Sequence, residues 1–276
     1  MIEFEDFGGE GTVVHFAHAN AYPIRTYQPF LSQFVQHFHM IGMHQRPMWE
    51  GEDADSFSDW GVLADDLILF LESQSITKVI GMGHSMGGIA TLLASVKRPD
   101  LFRKIVLIDP VILPQQVYDM QKDKPLDQLK QFNPMYQQAS RRRDHWSNAD
   151  EAKAYFESKA FFQRFAPSSQ EAYLAHGIRE TESGYTLSYS REWEAMIYAT
   201  ATNPWSALSM IKHPCMIIRG EHSDVMRSDT EWQAVKDVAT SAECRQMDGT
   251  GHLIPQEIPE ILSLSIIDFI TDLQHN

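Results

Sequence analysis

The stretch from Lys78 to Lys97 constrains this chain more than any other. Lys78-Val79-Ile80-Gly81-Met82 has the apolar character of a short buried strand. Gly83-His84-Ser85-Met86-Gly87-Gly88 is a tight turn, and Ile89 to Val96 is apolar at helical length and stops ahead of Pro99. A strand that turns at once into a helix strains its apex residue. A Cβ on either flank would strike the adjoining strand or helix, so Gly83 and Gly87 are what the turn demands. The product is a serine hydroxyl held clear of the main chain, above a helix N-terminus with unpaired N–H groups and a partial positive charge. The pattern is G-x-S-x-G, the nucleophile elbow. A glycine-rich turn with a bystander serine satisfies the same spacing, so partners elsewhere must supply the rest.

The segments around it read as strands alternating with helices. Ile2 to Phe7 alternates apolar and acidic residues like an edge strand with one wet face, and Gly8-Gly9-Glu10-Gly11 turns it. Thr12 to Ala17, His37 to Met43 and Lys104 to Asp109 are further strands, and Asp59 to Gln74 is an amphipathic helix capped by Ser58 or Asp59. After an interruption the rhythm resumes with a strand at Cys215 to Arg219, a helix at Thr230 to Val238, a strand at Cys244 to Met247 and a closing helix at Ile258 to Leu273. Apolar strands separated by helices predict an α/β fold: a mostly parallel sheet with helices on both faces.

The interruption, residues 112–206, shows no β-α alternation and is polar, aromatic and mostly helical in period. Ser147 is placed to cap a helix over Ala149 to Phe162, Ser168 or Ser169 to begin one that Gly177 ends, and Arg191 to Tyr198 makes a third. Residues 1–111 with 207–276 are expected to form the core, and 112–206 a helical cap over the carboxyl edge of the sheet. The run Arg141-Arg142-Arg143 reads as a solvated or acid-paired cluster in so acidic a chain.

Composition narrows the partners. A chain of 276 residues with a formal net charge of −14 disfavours nucleic acid and anionic membrane surfaces. No run of eighteen apolar residues occurs and the first residues are acidic, which excludes stable membrane insertion as an expectation and makes the cytoplasm the default compartment. Cys215 and Cys244 read as two buried free thiols. The histidines lack a clustered ligand spacing such as H-E-x-x-H, so neither metal nor cofactor is expected.

A serine hydroxyl needs a base within reach, and an imidazole needs a carboxylate behind it to fix its tautomer. Two loops at strand carboxyl ends offer these: Gly220-Glu221-His222-Ser223-Asp224, and Asp248-Gly249-Thr250-Gly251-His252. Ligands in such sheets bind outside those strand ends. Ser85 is therefore the expected nucleophile, His252 the base and Asp224 the acid, with Asp109, which also ends a strand, in reserve. The loop His18-Ala19-Asn20-Ala21-Tyr22-Pro23 is expected to supply the Asn20 N–H to an oxyanion, paired with the N–H of Met86. His84 reads as packing.

With the elbow, the His18–Pro23 loop, the Gly220–Asp224 loop and Gly251-His252 in place, the chain resembles the α/β-hydrolase superfamily over essentially its whole length, and within it the capped esterase and lipase-like members. Many members carry His-Gly where this chain has His18-Ala19, and its N-terminal strands look fewer than in the full family plan. The resemblance implies hydrolysis of a small-molecule carboxylic ester through an acyl-enzyme on Ser85. The same triad serves carbon–carbon bond hydrolysis, thioester or lactone cleavage and perhydrolysis, and the fold also serves as a non-catalytic binding protein. Cap aromatics such as Phe161, Phe162, Tyr198 and Trp205 point to an apolar acyl or alcohol pocket.

Overall fold

The uninterrupted apolar runs become the middle of one sheet. In the computed structural model, which describes residues 2–272, the strands of the core are β1 (Phe4–Gly8), β2 (Val13–Ala17), β3 (His39–Met43), β4 (Val79–His84) and β5 (Phe102–Ile108). Three strands of the interruption follow, β6 (His145–Trp146), β7 (Ile178–Thr181) and β8 (Gly184–Leu187), and then β9 (Cys215–Gly220) and β10 (Ala242–Met247) return to the core. The main sheet has seven strands in the order β1-β3-β2-β4-β5-β9-β10. Only the alternating edge strand β1 is antiparallel to its neighbour.

Side chains of β5 show how both faces are covered. Ile105 and Leu107 pack with Leu63, Leu67 and Phe70 of the helix Gly61–Ser73 and with Ile89 and Leu92 of the helix Met86–Lys97. Val106 and Ile108 face the other way, toward Phe30, Phe34 and the closing helix Pro259–Thr271 with Leu262, Ile266 and Phe269. Alternation along a pleated strand requires this division, and β4 and β9 are buried along their whole lengths between the two layers. The N-cap of the helix Gly61–Ser73 is Trp60 rather than Ser58 or Asp59, although Asp59 Oδ1 accepts the N–H of Gly61, its first residue, at 2.6 Å. The helix Asp229–Val238 begins on a capping box of Ser228 and Glu231. Leu273, placed in the closing helix from sequence, lies outside the described residues.

The segment between β5 and β9 differs from expectation chiefly in that it contains a small antiparallel sheet, β6-β8-β7. Its strands are two to four residues long. Arg179 and Glu180 on the outside hide their period, and the hairpin turns through Gly184 at φ 132°. The helix expected over 149–162 stops at Glu157, with Asn148 rather than Ser147 as its cap. The next helix runs Pro167–His176, ended by Gly177, and the third spans Arg191–Ala199 with Ser190 at its cap. Trp146, Phe156, Phe162 and Tyr173 form a core of this segment, against which Tyr22 and Leu253 of the main domain pack. The arginine run is indeed partnered: Arg142 with Glu194, Arg143 with Glu151, and Arg141 with the Gln137 carboxamide at 3.0 Å.

Cys215 is buried and Cys244 half-buried, both as free thiols. They sit on adjacent strands but two residues out of register, Cys244 lying opposite Ile217. Among the described residues no helix is long and apolar enough to cross a membrane.

At the elbow, backbone packs directly on backbone. A Cβ on Gly83 would lie 2.3 Å from the Gly87 carbonyl oxygen, and one on Gly87 would lie 2.1 Å from that of Ala17 in β2. Real Cβ atoms do not approach backbone so closely, so strand β2, strand β4 and the helix meet only because both positions are glycine. Gly87→Ala is expected to lower the unfolding free energy by about 1–3 kcal/mol or more, because rigid main chain must move to admit the methyl. Denaturant unfolding checks this; an unchanged midpoint contradicts the close approach.

Candidate active site

The site gathers at the carboxyl ends of β2, β4, β5, β9 and β10, and the first three of these carry backbone strain. Among the described residues the non-glycine positions with positive φ are Ala21, Ser75, Lys78, Ser85 and Asp109. Ala21, Ser85 and Asp109 follow β2, β4 and β5 at their carboxyl ends, which is where strain concentrates when a site over-determines its backbone. Ser85 has φ 57° and ψ −121°, and its N–H is held by the Ile108 carbonyl at 2.9 Å.

His252 comes to Ser85 from the loop after β10. The imidazole Nε2 lies 2.9 Å from the Ser85 Oγ, and Nδ1 lies 2.6 Å from Oδ2 of Asp109. The carboxylate behind the imidazole is therefore that of Asp109, not of Asp224, and the expectation drawn from sequence is corrected. The reason is position. Asp109 leaves the end of β5, next to the elbow strand, and is fully buried, whereas Asp224 is exposed and its backbone carbonyl accepts from Arg227 Nε. The Gly220–Asp224 loop contributes donors instead: the Gly220 N–H at 3.0 Å from Asp109 Oδ1 and the Ser223 hydroxyl at 2.6 Å from Oδ2. A buried carboxylate needs such partners. Ser223 was missed because a serine beside an aspartate reads as loop filler, and only the strand order reveals which acid it serves.

Burial of the His252 ring disfavours its charged form. The hydrogen bond and charge of Asp109, with the charges of Asp224 and Glu257, more than offset that and raise its pKa above the ordinary imidazole value. Glu257 also accepts the Gly251 N–H at 3.0 Å and pairs with Arg164, so the loop that carries the imidazole is anchored from both sides.

His84, read from sequence as packing, belongs to a second chain of bonds. Its Nε2 lies 2.9 Å from the His252 carbonyl oxygen, which can only accept, so Nε2 carries the proton. Burial, and then the neighbouring His252, hold the His84 pKa well below the usual range and keep the ring neutral. Nδ1 must then accept, and the Tyr27 hydroxyl donates to it at 2.8 Å while taking the Ala19 N–H at 3.1 Å. One neutral relay thus joins the loop after β2, the residue before Ser85 and the backbone of His252.

Asn20 and Met86 both line the hollow in front of Ser85 and His252. Met86 is the first residue of its helix, so its N–H has no intrahelical acceptor. The Asn20 side chain donates from Nδ2 to the Glu194 carbonyl at 3.0 Å, tying its loop to the helix Arg191–Ala199. The hollow has a volume of about 630 Å³ and a largely apolar wall that includes Trp60, Val111, Leu129, Phe132, Ile197 and Leu253. Of the four aromatics expected there, Tyr198 lines it. Phe162 instead packs in the core of its own segment, Phe161 borders a neighbouring chamber, and Trp205 donates its Nε1–H to the Leu113 carbonyl at 2.9 Å. Among the described residues no group of three or more His, Cys, Asp or Glu side chains is placed to hold a metal ion.

The arrangement has relatives. The chain is 23% identical over 264 residues to the uncharacterized hydrolase YugF of Bacillus subtilis (strain 168), covering 93% of this chain and 88% of that one. A short stretch of 44 residues, 16% of each chain, is 43% identical to strigolactone esterase RMS3 of Pisum sativum. Among solved structures, E-2-(acetamidomethylene)succinate hydrolase superimposes with a TM-score of 0.80 at 18% identity, over 98% of this chain and 95% of that one. Residues 37–262 match the model of the alpha/beta hydrolase family, and the chain belongs to that family.

Proposed function

We propose that this protein is a serine hydrolase of carboxylic esters, with Ser85 as nucleophile, His252 as general base and acid, and Asp109 as the carboxylate that orients it. What carries the reading is the pair of hydrogen bonds from Ser85 to His252 and from His252 to Asp109, set at the floor of an apolar hollow. His252 Nε2 takes the Ser85 proton as Oγ bonds to the acyl carbon. The N–H groups of Asn20 and Met86 receive the negative charge that develops on the carbonyl oxygen. The protonated His252 then gives its proton to the departing alcohol. A water deprotonated by the same nitrogen attacks the acyl-enzyme, and the acid leaves as Ser85 recovers its proton. Residues 112–206 act as a cap, since Leu129, Phe132 and Ile197 of that segment supply part of the hollow's wall. The ester class is favoured by the apolar wall and by the esterase among the relatives with partial similarity.

A fluorophosphonate probe is expected to add once to the protein, on Ser85, and Ser85→Ala to abolish both labelling and nitrophenyl-ester turnover, a loss of at least about 10³-fold. Folded protein that stays unlabelled contradicts the reading. Asp109→Asn is expected to cut kcat/KM by roughly 10²- to 10⁴-fold, because the amide presents the wrong tautomer to Nδ1, while Asp224→Asn costs less than about tenfold. Equal losses for the two would reassign the acid. His252 must be neutral to act, so kcat/KM should fall as pH drops through its folded pKa, with a midpoint above the ordinary value of about 6.5. Asp109→Asn should move that midpoint toward acid, and a pH–rate profile of both proteins measures it.

A further inference from the structure

A second chamber adjoins the first and is used by nothing in the mechanism above. It has a volume of about 410 Å³ and shares Asn20, Tyr22, Met135 and Tyr198 with the hollow over Ser85. Its wall mixes aromatic and charged groups. Arg142, Lys159 and Glu194 all border it. The Arg142 guanidinium pairs with Glu194, and Tyr173 borders the same recess. Arg142 and Glu194 neutralise one another. Lys159 does not share in that pair: its ammonium lies 4.0 Å from the centre of the Tyr155 ring and has no carboxylate partner among the described residues. One positive charge is therefore left over in a recess of a chain whose formal net charge is −14.

Resting on the ester-hydrolase reading, we infer that this chamber binds a carboxylate carried on the acyl arm of the substrate, with Lys159 as its principal ion partner and Arg142 and Tyr173 as further donors. Three ammonium protons, the Tyr173 hydroxyl proton and the unused guanidinium N–H groups are all donors, and an ionised carboxylate is acceptor-only. A recess with half-buried walls strengthens such a contact relative to water. The apolar hollow is then left to the other arm. The substrate class is an ester with one apolar arm and one arm ending in a carboxylate.

The test compares naphthyl monoesters of succinic, glutaric and adipic acids with the same esters bearing a terminal carboxamide. At one chain length or more the carboxylate ester should be favoured in kcat/KM by about ten- to a hundredfold, the ratio that one charge-assisted hydrogen bond supplies. Lys159→Met should collapse that ratio and Lys159→Arg should restore most of it, whatever either does to the absolute rates. A purely structural role would slow both esters alike and leave the ratio intact. Equal turnover of acid and amide esters by the unaltered enzyme, or a ratio insensitive to Lys159→Met, overturns the inference. Should no ester be turned over, the hydrolase reading fails, and calorimetry of glutarate with Ser85→Ala decides the chamber. Saturable binding lost in the added Lys159→Met supports the carboxylate site, and absence of binding overturns it.

Discussion

The hydrogen bond between Asp109 and Nδ1 of His252 is the contact on which the rest of the site depends. It fixes which imidazole nitrogen faces Ser85, and it holds the ring against the cost of burial. A carboxylate with no exposure survives there only because Gly220 and Ser223 donate to it as well. The end of β9 therefore supports a carboxylate delivered by β5, while β10 delivers the imidazole. Three adjacent parallel strands meet at one site because their carboxyl ends lie side by side.

Around that contact the backbone is held where sterics alone would not place it. Ser85 and Asp109 adopt positive φ, and Gly83 and Gly87 let the elbow close on β2. The relay from Ala19 through Tyr27 and His84 to the His252 carbonyl ties the loop after β2 to the same centre. Each bond in it is neutral and fully directed, which suits a buried site where a stray charge would disturb the His252 imidazole.

Much of this was legible in the sequence, for physical reasons that also explain what was not. The inner strands showed because buried strands read as continuous apolar runs and β1 because a wet edge strand alternates, while β10, the other edge, is half-buried and polar at Glu243, Arg245 and Gln246 and showed only from Cys244 on. The elbow showed because its glycines answer a collision that any side chain would create. The acid did not, since Asp109 and Asp224 both follow strands beside the site, and what separates them is that Asp109 directly follows β5 and is fully buried whereas Asp224 stands further out in the loop after β9 and is exposed. The hairpin of β7 and β8 was hidden because its short strands carry Arg179 and Glu180 on a wet face, and two-residue periods are faint over four residues. His84 was taken for packing because nothing local marks a histidine whose partners, Tyr27 and the His252 carbonyl, are 57 and 168 residues away.

The central claim is that Asp109 alone holds the Nδ1 proton of His252, and proton NMR of protein with nitrogen-15-labelled histidine reads that proton directly. A strongly downfield Nδ1–H resonance should be present in the unaltered protein, persist in Asp224→Ala and disappear in Asp109→Ala. A resonance that survives removal of Asp109 but not of Asp224 would contradict the account.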